Sequence, residues 1–185
     1  GDRISGYLRH RLQGIFGGSG PGFIPVKQVY NQISAEVTVS EIWERYAIFD
    51  PTQQPVSNNN YGLYTTFSRF TGKAAIITDS AAKQKSSLST FIRIKPSYRS
   101  YPALRRYNHI RMHYGNLRKP ARVLVRSNDS VISHTPLIAD SAYHCFEIRA
   151  GGTPAEITME FEAEQSPDVY GLTLDGSRGI MLDNI

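Results

Sequence analysis

Glu156-Ile157-Thr158-Met159-Glu160-Phe161-Glu162 is the run that decides the fold. Ile157, Met159 and Phe161 point one way, and Glu156, Thr158, Glu160 and Glu162 the other. Strict alternation of this kind marks a strand with one dry face and one wet face. The same period runs through Ile33, Ala35, Val37 and Val39, set against Ser34, Glu36 and Thr38. Further strands are expected over 43–49, 62–70, 74–78, 90–95, 107–114, 122–126 and 143–149. Turn chemistry separates them at Asp50-Pro51, Ser57-Asn58-Asn59-Asn60, Lys119-Pro120, Ser127-Asn128-Asp129 and Gly151-Gly152-Thr153-Pro154. Many short strands without helices between them predict a mainly β fold, a jelly-roll-like β-sandwich, and argue against βαβ units.

One helix is expected ahead of the strands. Ile4, Leu8, Leu12, Ile15 and Phe16, with Tyr7, recur at steps of three and four and make one apolar stripe. Gly17-Gly18-Ser19-Gly20-Pro21-Gly22 then stops it. At the other end, Val169–Ile185 reads as two short strands around Asp175-Gly176, and the chain breaks off on an apolar residue.

The 185 residues carry 40% hydrophobic and 20% charged side chains, a globular balance. No apolar run approaches the roughly 20 residues that span a bilayer. The opening Gly1-Asp2-Arg3 lacks the charged start and apolar stretch of a secretory leader. Cys145 has no second cysteine to pair with, so the core must hold the fold, and Cys145 is expected to be a small buried hydrophobe.

Net charge is +5, unevenly spread. No Asp or Glu lies between Asp79 and Asp129, whereas Glu147, Glu156, Glu160, Glu162, Glu164 and Asp168 crowd the C-terminal part. One reading places basic strands beside acidic ones, with charges facing across a ladder. The other reading is a positive surface for an anionic polymer, a cell-wall glycan or a nucleic acid.

The sequence offers no catalytic constellation. There is no Gly-x-Ser-x-Gly elbow and no Gly-Asp-Ser block, and Gly18-Ser19-Gly20 reads as a loop. Asp140 and His144 stand four apart, the spacing of a strand approach and not of an Asp-x-x-His block. His109, Arg111 and His113 share one strand face, but residues four apart on a strand are separated by about 13 Å and cannot chelate one ion. No metal site or cofactor is expected. Calcium at a jelly-roll loop would draw on Asn58, Asn59, Asn60 or Asp129, which show no defined ligand spacing. The glycine loop follows a helix and precedes a strand, the reverse of a phosphate-binding loop. Tyr98, Tyr101, Tyr107 and Tyr114 beside the basic residues suit stacking on sugars or on bases.

Two segments resemble a known family. Gly1 to Gln13, followed by Phe16-Gly17-Gly18-Ser19-Gly20-Pro21-Gly22-Phe23-Ile24-Pro25, resembles the stretch after the Gly-Asp-Ser-His block of peptidoglycan O-acetylesterases and related SGNH (GDSL-like) hydrolases. The matching residues are Asp2, Leu8, Arg9, Leu12, Gln13, Phe16, Gly17, Gly20, Gly22 and Pro25. Tyr170-Gly171-Leu172-Thr173-Leu174-Asp175-Gly176 resembles the return into the hydrolase core. The resemblance implies residues 1–25 at the edge of that core, 26–166 as an inserted accessory β-sandwich of carbohydrate-binding-module type, and 167–185 as a truncated return segment. It implies a non-catalytic segment of a secreted, periplasmic or cell-surface bacterial esterase or acyltransferase. The serine, oxyanion donors and Asp-x-x-His pair would lie outside Gly1–Ile185, so no catalytic residue is carried over. The expected partners are the rest of the parent hydrolase and an acylated or cell-wall polysaccharide, with nucleic acid disfavoured. Tyr98, Tyr101, Tyr107, His109, Arg111 and His113 are the candidate glycan contacts. Alternatives are an insert that only shapes the parent's cleft, and a free-standing basic β domain binding an anionic polymer.

Overall fold

A computed structural model describes residues 2–28, 35–53, 56, 59–71, 75–77, 85–99 and 101–182. The helix α1 spans Asp2–Phe16 and ends where the glycine loop begins, as the apolar stripe predicts. The strands are β1 (Gly22–Ile24), β2 (Ala35–Val39), β3 (Trp43–Ala47), β4 (Thr66–Phe70), β5 (Ala75–Ile77) and β6 (Lys85–Pro96). They continue as β7 (His109–Gly115), β8 (Ala121–Ser127), β9 (Ser130–Pro136), β10 (Tyr143–Arg149), β11 (Ile157–Ala163) and β12 (Asp168–Asp175). A 3-10 turn covers Pro102–Arg105.

All named strand pairs are antiparallel, and they form two sheets. The first runs β10-β7-β12-β4-β3, with β1 also paired to β12. The second runs β2-β6-β11-β8-β9, with β5 paired to β6. This is the expected β-sandwich with a single described helix. The run that opened the sequence reading becomes β11, the centre of the second sheet, and Ile157, Met159 and Phe161 are each 0% exposed. Phe161 meets Trp43 and Phe70 from the opposite sheet, with ring centroids 5.8 Å from both. The Trp43 indole N–H also donates to the Phe91 carbonyl at 3.2 Å. Side chains from both inner faces interlock in this way to make the core.

The tail differs from expectation. Instead of two short strands, Asp168–Asp175 is one eight-residue strand in the middle of the first sheet. Its apolar run exists because Val169, Leu172 and Leu174 are buried in the core. The strand β9 was also missed: Asn128 and Asp129, at φ 46° and 68°, make the tight hairpin turn that returns the chain alongside β8. The expected strand start at Ile33 and Ser34 lies outside the described residues.

The charge asymmetry resolves on the outer face of the second sheet. Acidic β11 lies between basic β6 and β8, and Arg126 meets Glu160 at 3.2 Å. Glu156 takes Lys95 at 2.7 Å and Arg93 at 3.4 Å. Here the basic strands are neutralised by their neighbours, the first of the two readings of the charge pattern.

Replacing Phe161 by Ala should lower the unfolding free energy by about 3–5 kcal/mol through cavity formation. Glu162→Ala on the wet face of the same strand should change it by less than about 0.5 kcal/mol. Urea denaturation of the two variants checks the assigned face of β11.

Candidate functional site

Alternation on β7 sends Ile110, Met112 and Tyr114 into the core and leaves His109, Arg111 and His113 on the outer face. Register places Cys145 and Gly171 beside His113, and Glu147 and Thr173 beside Arg111. Phe23 of β1 stands beside Thr173. Ile48, Asn59–Leu63 and Thr65 border this face, as do Ser141 and Tyr143. Between them lies a groove of about 820 Å³. Phe23, Arg111, His113, Tyr170 and Thr173 line it, and Asn59–Leu63 and Met181 close it. That volume suits a small ligand or a few units of a chain.

Two glycines make the shape. A Cβ on Gly171 would lie 2.3 Å from the Phe23 ring, so the missing side chain lets that ring lie across β12. Gly62, at φ 73°, rests on Tyr170, where a Cβ would be 2.9 Å from the ring. Tyr170 itself sits at a bulge in β12, which turns its ring toward Tyr143 with centroids 6.5 Å apart. Phe67 adds a buried rear support, stacked on Tyr46 at 5.0 Å and packed against Tyr61 at 5.7 Å.

His113 is the polar centre of the floor. One ring nitrogen, Nδ1, is 2.7 Å from the Tyr143 hydroxyl, and Nε2 is 2.7 Å from the Thr173 hydroxyl. Burial, and then the Arg111 cation, lower its pKa from the ordinary value and favour the neutral ring. Neutral imidazole donates through one nitrogen and accepts through the other, so it fixes the direction of both hydroxyls. The 2.7 Å pair with Thr173 has the spacing of a hydroxyl and its base. However, Thr173 is 6% exposed, and the ring's far side holds a tyrosine instead of an orienting carboxylate.

Arg111 pairs with Asp175, whose Oδ1 is also 3.1 Å from His109. His109 lies 3.3 Å from Glu147 on its other side. Arg111 Nε is buried without a hydrogen-bond partner among the described residues. Asp140 accepts from His144 and from the Ala142 amide, each at 2.7 Å, and so shapes the approach to β10.

The candidate residues divide into three groups. Arg111 and His113 line the groove, and His109 belongs to the ion-pair row beside it. Tyr98 and Tyr101 are exposed, but they flank the 3-10 turn and lie elsewhere. Tyr107 is corrected: it is 1% exposed and belongs to the core, packed beneath the glycine loop where Gly20 approaches its Cβ. Its hydroxyl has no partner among the described residues, and burial pushes its pKa far up. Cys145 is corrected in the other direction, since it stands on the exposed face of β10. Burial of the sulfur, followed by the Glu147 carboxylate 3.9 Å away, raises its pKa and keeps it a thiol.

Of the loop residues considered for calcium, Asn59 and Asn60 line the groove, Asp129 turns the β8–β9 hairpin of the other sheet, and Asn58 lies outside the described residues. Among the described residues no three His, Cys, Asp or Glu side chains gather to hold a metal. Phe23, Tyr143, Tyr170 and Thr173 were missed as site residues. Their signal was available in the bulky residues next to Gly62 and Gly171, but only the fold brings β1, β10 and β12 together.

Comparison by fold finds a peptidoglycan O-acetylesterase, with a TM-score of 0.56 at 13% identity over 95% of this chain. This chain spans 40% of that esterase's length. A carbohydrate-binding module solved with β-1,4-galactotriose gives a TM-score of 0.38 at 8% identity, covering 80% of this chain and 88% of the module. A family two carbohydrate esterase from Cellvibrio japonicus gives 0.32 at 12% identity, covering 80% of this chain and 37% of the esterase. The first likeness establishes a shared fold, and the other two are too loose to argue from. No protein-family profile and no curated protein matches the chain by sequence.

Because the folded pKa of His113 lies below its ordinary 6.5, stability from the neutral ring is complete above that pH and is lost as pH falls toward the folded pKa. His113→Gln should flatten this part of the stability–pH curve, measured by thermal melts across the range. Cys145 should react with a disulfide reagent at neutral pH more slowly than free cysteine does, and Glu147→Gln should speed it. A rate equal to free cysteine would contradict the assigned environment.

Proposed function

We propose that this chain is a non-catalytic glycan-binding domain, inserted in an SGNH-type esterase or acyltransferase, that holds acylated cell-envelope polysaccharide beside the parent's active site. The observation that carries the binding half is the groove. It combines aromatic rings from Phe23, Tyr143 and Tyr170 with hydroxyl, amide and imidazole groups, and Arg111 supplies the one formal charge among its described lining residues. Ring faces stack on the apolar faces of pyranoses while polar groups satisfy the hydroxyls, which is the chemistry that carbohydrate binding requires.

The insertion half is supported by where the chain enters and leaves the sandwich. Gly18 and Ile180 form a parallel bridge, Gln13 donates to the Ile180 carbonyl at 3.0 Å, and Ser19 exchanges hydrogen bonds with Gly176 at 2.9 Å. Arg9 Nε donates to the Leu182 carbonyl at 2.8 Å. Two chain segments bound side by side at one end are the geometry that lets a domain sit within another. On this reading 1–25 and the stretch from Gly176 meet the hydrolase, while β12 belongs to the accessory sandwich. Leu8 and Ile15, 45% and 71% exposed, would face the parent's core. A peptidoglycan O-acetylesterase of shared fold, of which this chain spans 40%, supports a peptidoglycan-type substrate. An extracytoplasmic location follows from that substrate.

Calorimetric titration with soluble peptidoglycan fragments and N-acetylglucosamine oligomers tests the reading. Binding is expected, and Tyr143→Ala should weaken it by about tenfold, the loss of one aromatic stacking contact. Gly62→Ala, which drives a methyl into Tyr170, should weaken it as well. No heat at millimolar ligand would leave an insert that only shapes the parent's cleft. The isolated chain should not turn over an activated acetate ester, and turnover lost in His113→Gln would overturn the non-catalytic assignment.

A further inference from the structure

Residues 3–35 and 80–128 both lack Asp and Glu. The fold brings the two acid-free stretches into contact where α1 meets the segment around the 3-10 turn. The His10 imidazole stacks on Tyr101 with centroids 4.4 Å apart. Arg99 lies over the Tyr98 ring at 5.4 Å, with its Nε 3.1 Å from the hydroxyl. Arg11 repeats the arrangement on Tyr7, at 5.5 Å from the ring and 3.0 Å from the hydroxyl. Arg105 anchors the segment by donating to the Tyr98 carbonyl at 2.5 Å, and Arg106 is exposed beside it. The ion pairs that neutralise Arg69, Arg93, Lys95, Arg111 and Arg126 have no counterpart at Arg11, Arg99 or Arg106 among the described residues.

From this arrangement we infer a second binding surface, distinct from the groove, that docks a carboxylate-bearing polysaccharide through guanidinium forks. Stacking on tyrosine pre-orders each guanidinium, so less side-chain freedom is lost when it grips an anion. Planar carboxylates match that fork with two parallel hydrogen bonds. Single-stranded nucleic acid would ask for open rings as stacking platforms. Tyr98 and Tyr101 instead already carry Arg99 and His10 on one face, which favours a partner read through repeated charge. His10, and the Tyr101 ring stacked on it, point to another side of α1 than Leu8 and Ile15 do, whereas Arg11 borders the face proposed to meet the parent. Tyr98 thus supports the Arg99 guanidinium and Tyr101 the His10 ring, and neither acts as a sugar platform.

The test is a titration of the whole chain with an oligogalacturonate of about ten sugars, at roughly 50 and 200 mM salt. Binding should weaken steeply with salt, and a neutral galacto-oligosaccharide should not bind this surface. Arg99→Ala/Arg106→Ala should weaken binding at least about tenfold, whereas Arg118→Ala/Lys119→Ala, an equal loss of charge elsewhere, should change it less than about threefold. Tyr143→Ala should leave it unchanged, so that failure here is separate from failure of the groove. Equal losses in the two double variants would overturn the proposal in favour of diffuse net charge. Preference by more than about tenfold for duplex DNA of equal charge would overturn the glycan assignment.

Discussion

Everything on the first sheet depends on how β12 is held. Asp168, at its start, is 0% exposed and is gripped by the Arg69 guanidinium, with Asn116 donating at 3.1 Å. A buried carboxylate is tolerated only with such partners, and losing one partner typically costs about 3–5 kcal/mol. The pair links β4 to β12 across the one position where their backbones are in register, Ser68 and Val169. The same guanidinium lies over the Phe67 and Tyr46 rings, at 4.8 and 5.3 Å. Phe67 in turn packs against Tyr61 and Tyr170, the wall and part of the floor of the groove. One buried ion pair therefore sets both the sheet and the site.

Because β12 leads directly into Gly176–Leu182, the groove and the junction with α1 are mechanically continuous. Met181 lines the groove, while its neighbours Ile180 and Leu182 are bonded to the α1 end of the chain. A ligand in the groove would lie next to whatever domain the two chain segments join. Under the proposed function, a polymer held there would be presented to the neighbouring domain at raised local concentration.

Much of the fold was legible from period alone. The β10 strand was bounded correctly, and β11 to within one residue, because tyrosines, β-branched residues and alternating charges mark both faces. The helix was legible from its stripe and its glycine stop. β12 was not, because a strand buried on both faces reads as a continuous apolar run, and Gly171 obscured the pattern further. The site was half legible. Alternation on β7 placed Arg111 and His113 on one face, but Tyr107, at the edge of the same run, lies before the strand begins and packs inward. Cys145 was misjudged because the wet face of β10 carries it at the same alternation as Tyr143 and Glu147. Groove walls from distant segments such as Asn59–Leu63 have no periodic signal at all.

The central claim, that the outer face over β12 is a sugar-binding groove, is tested most directly by mapping amide chemical shifts during titration with soluble peptidoglycan fragments. The account predicts saturable shifts concentrated at Phe23, Gly62, His113, Tyr143, Tyr170 and Thr173. It also predicts little change on the outer face of β11 and β8. Shifts spread evenly over both sheets, or confined to a surface away from the groove, would contradict it.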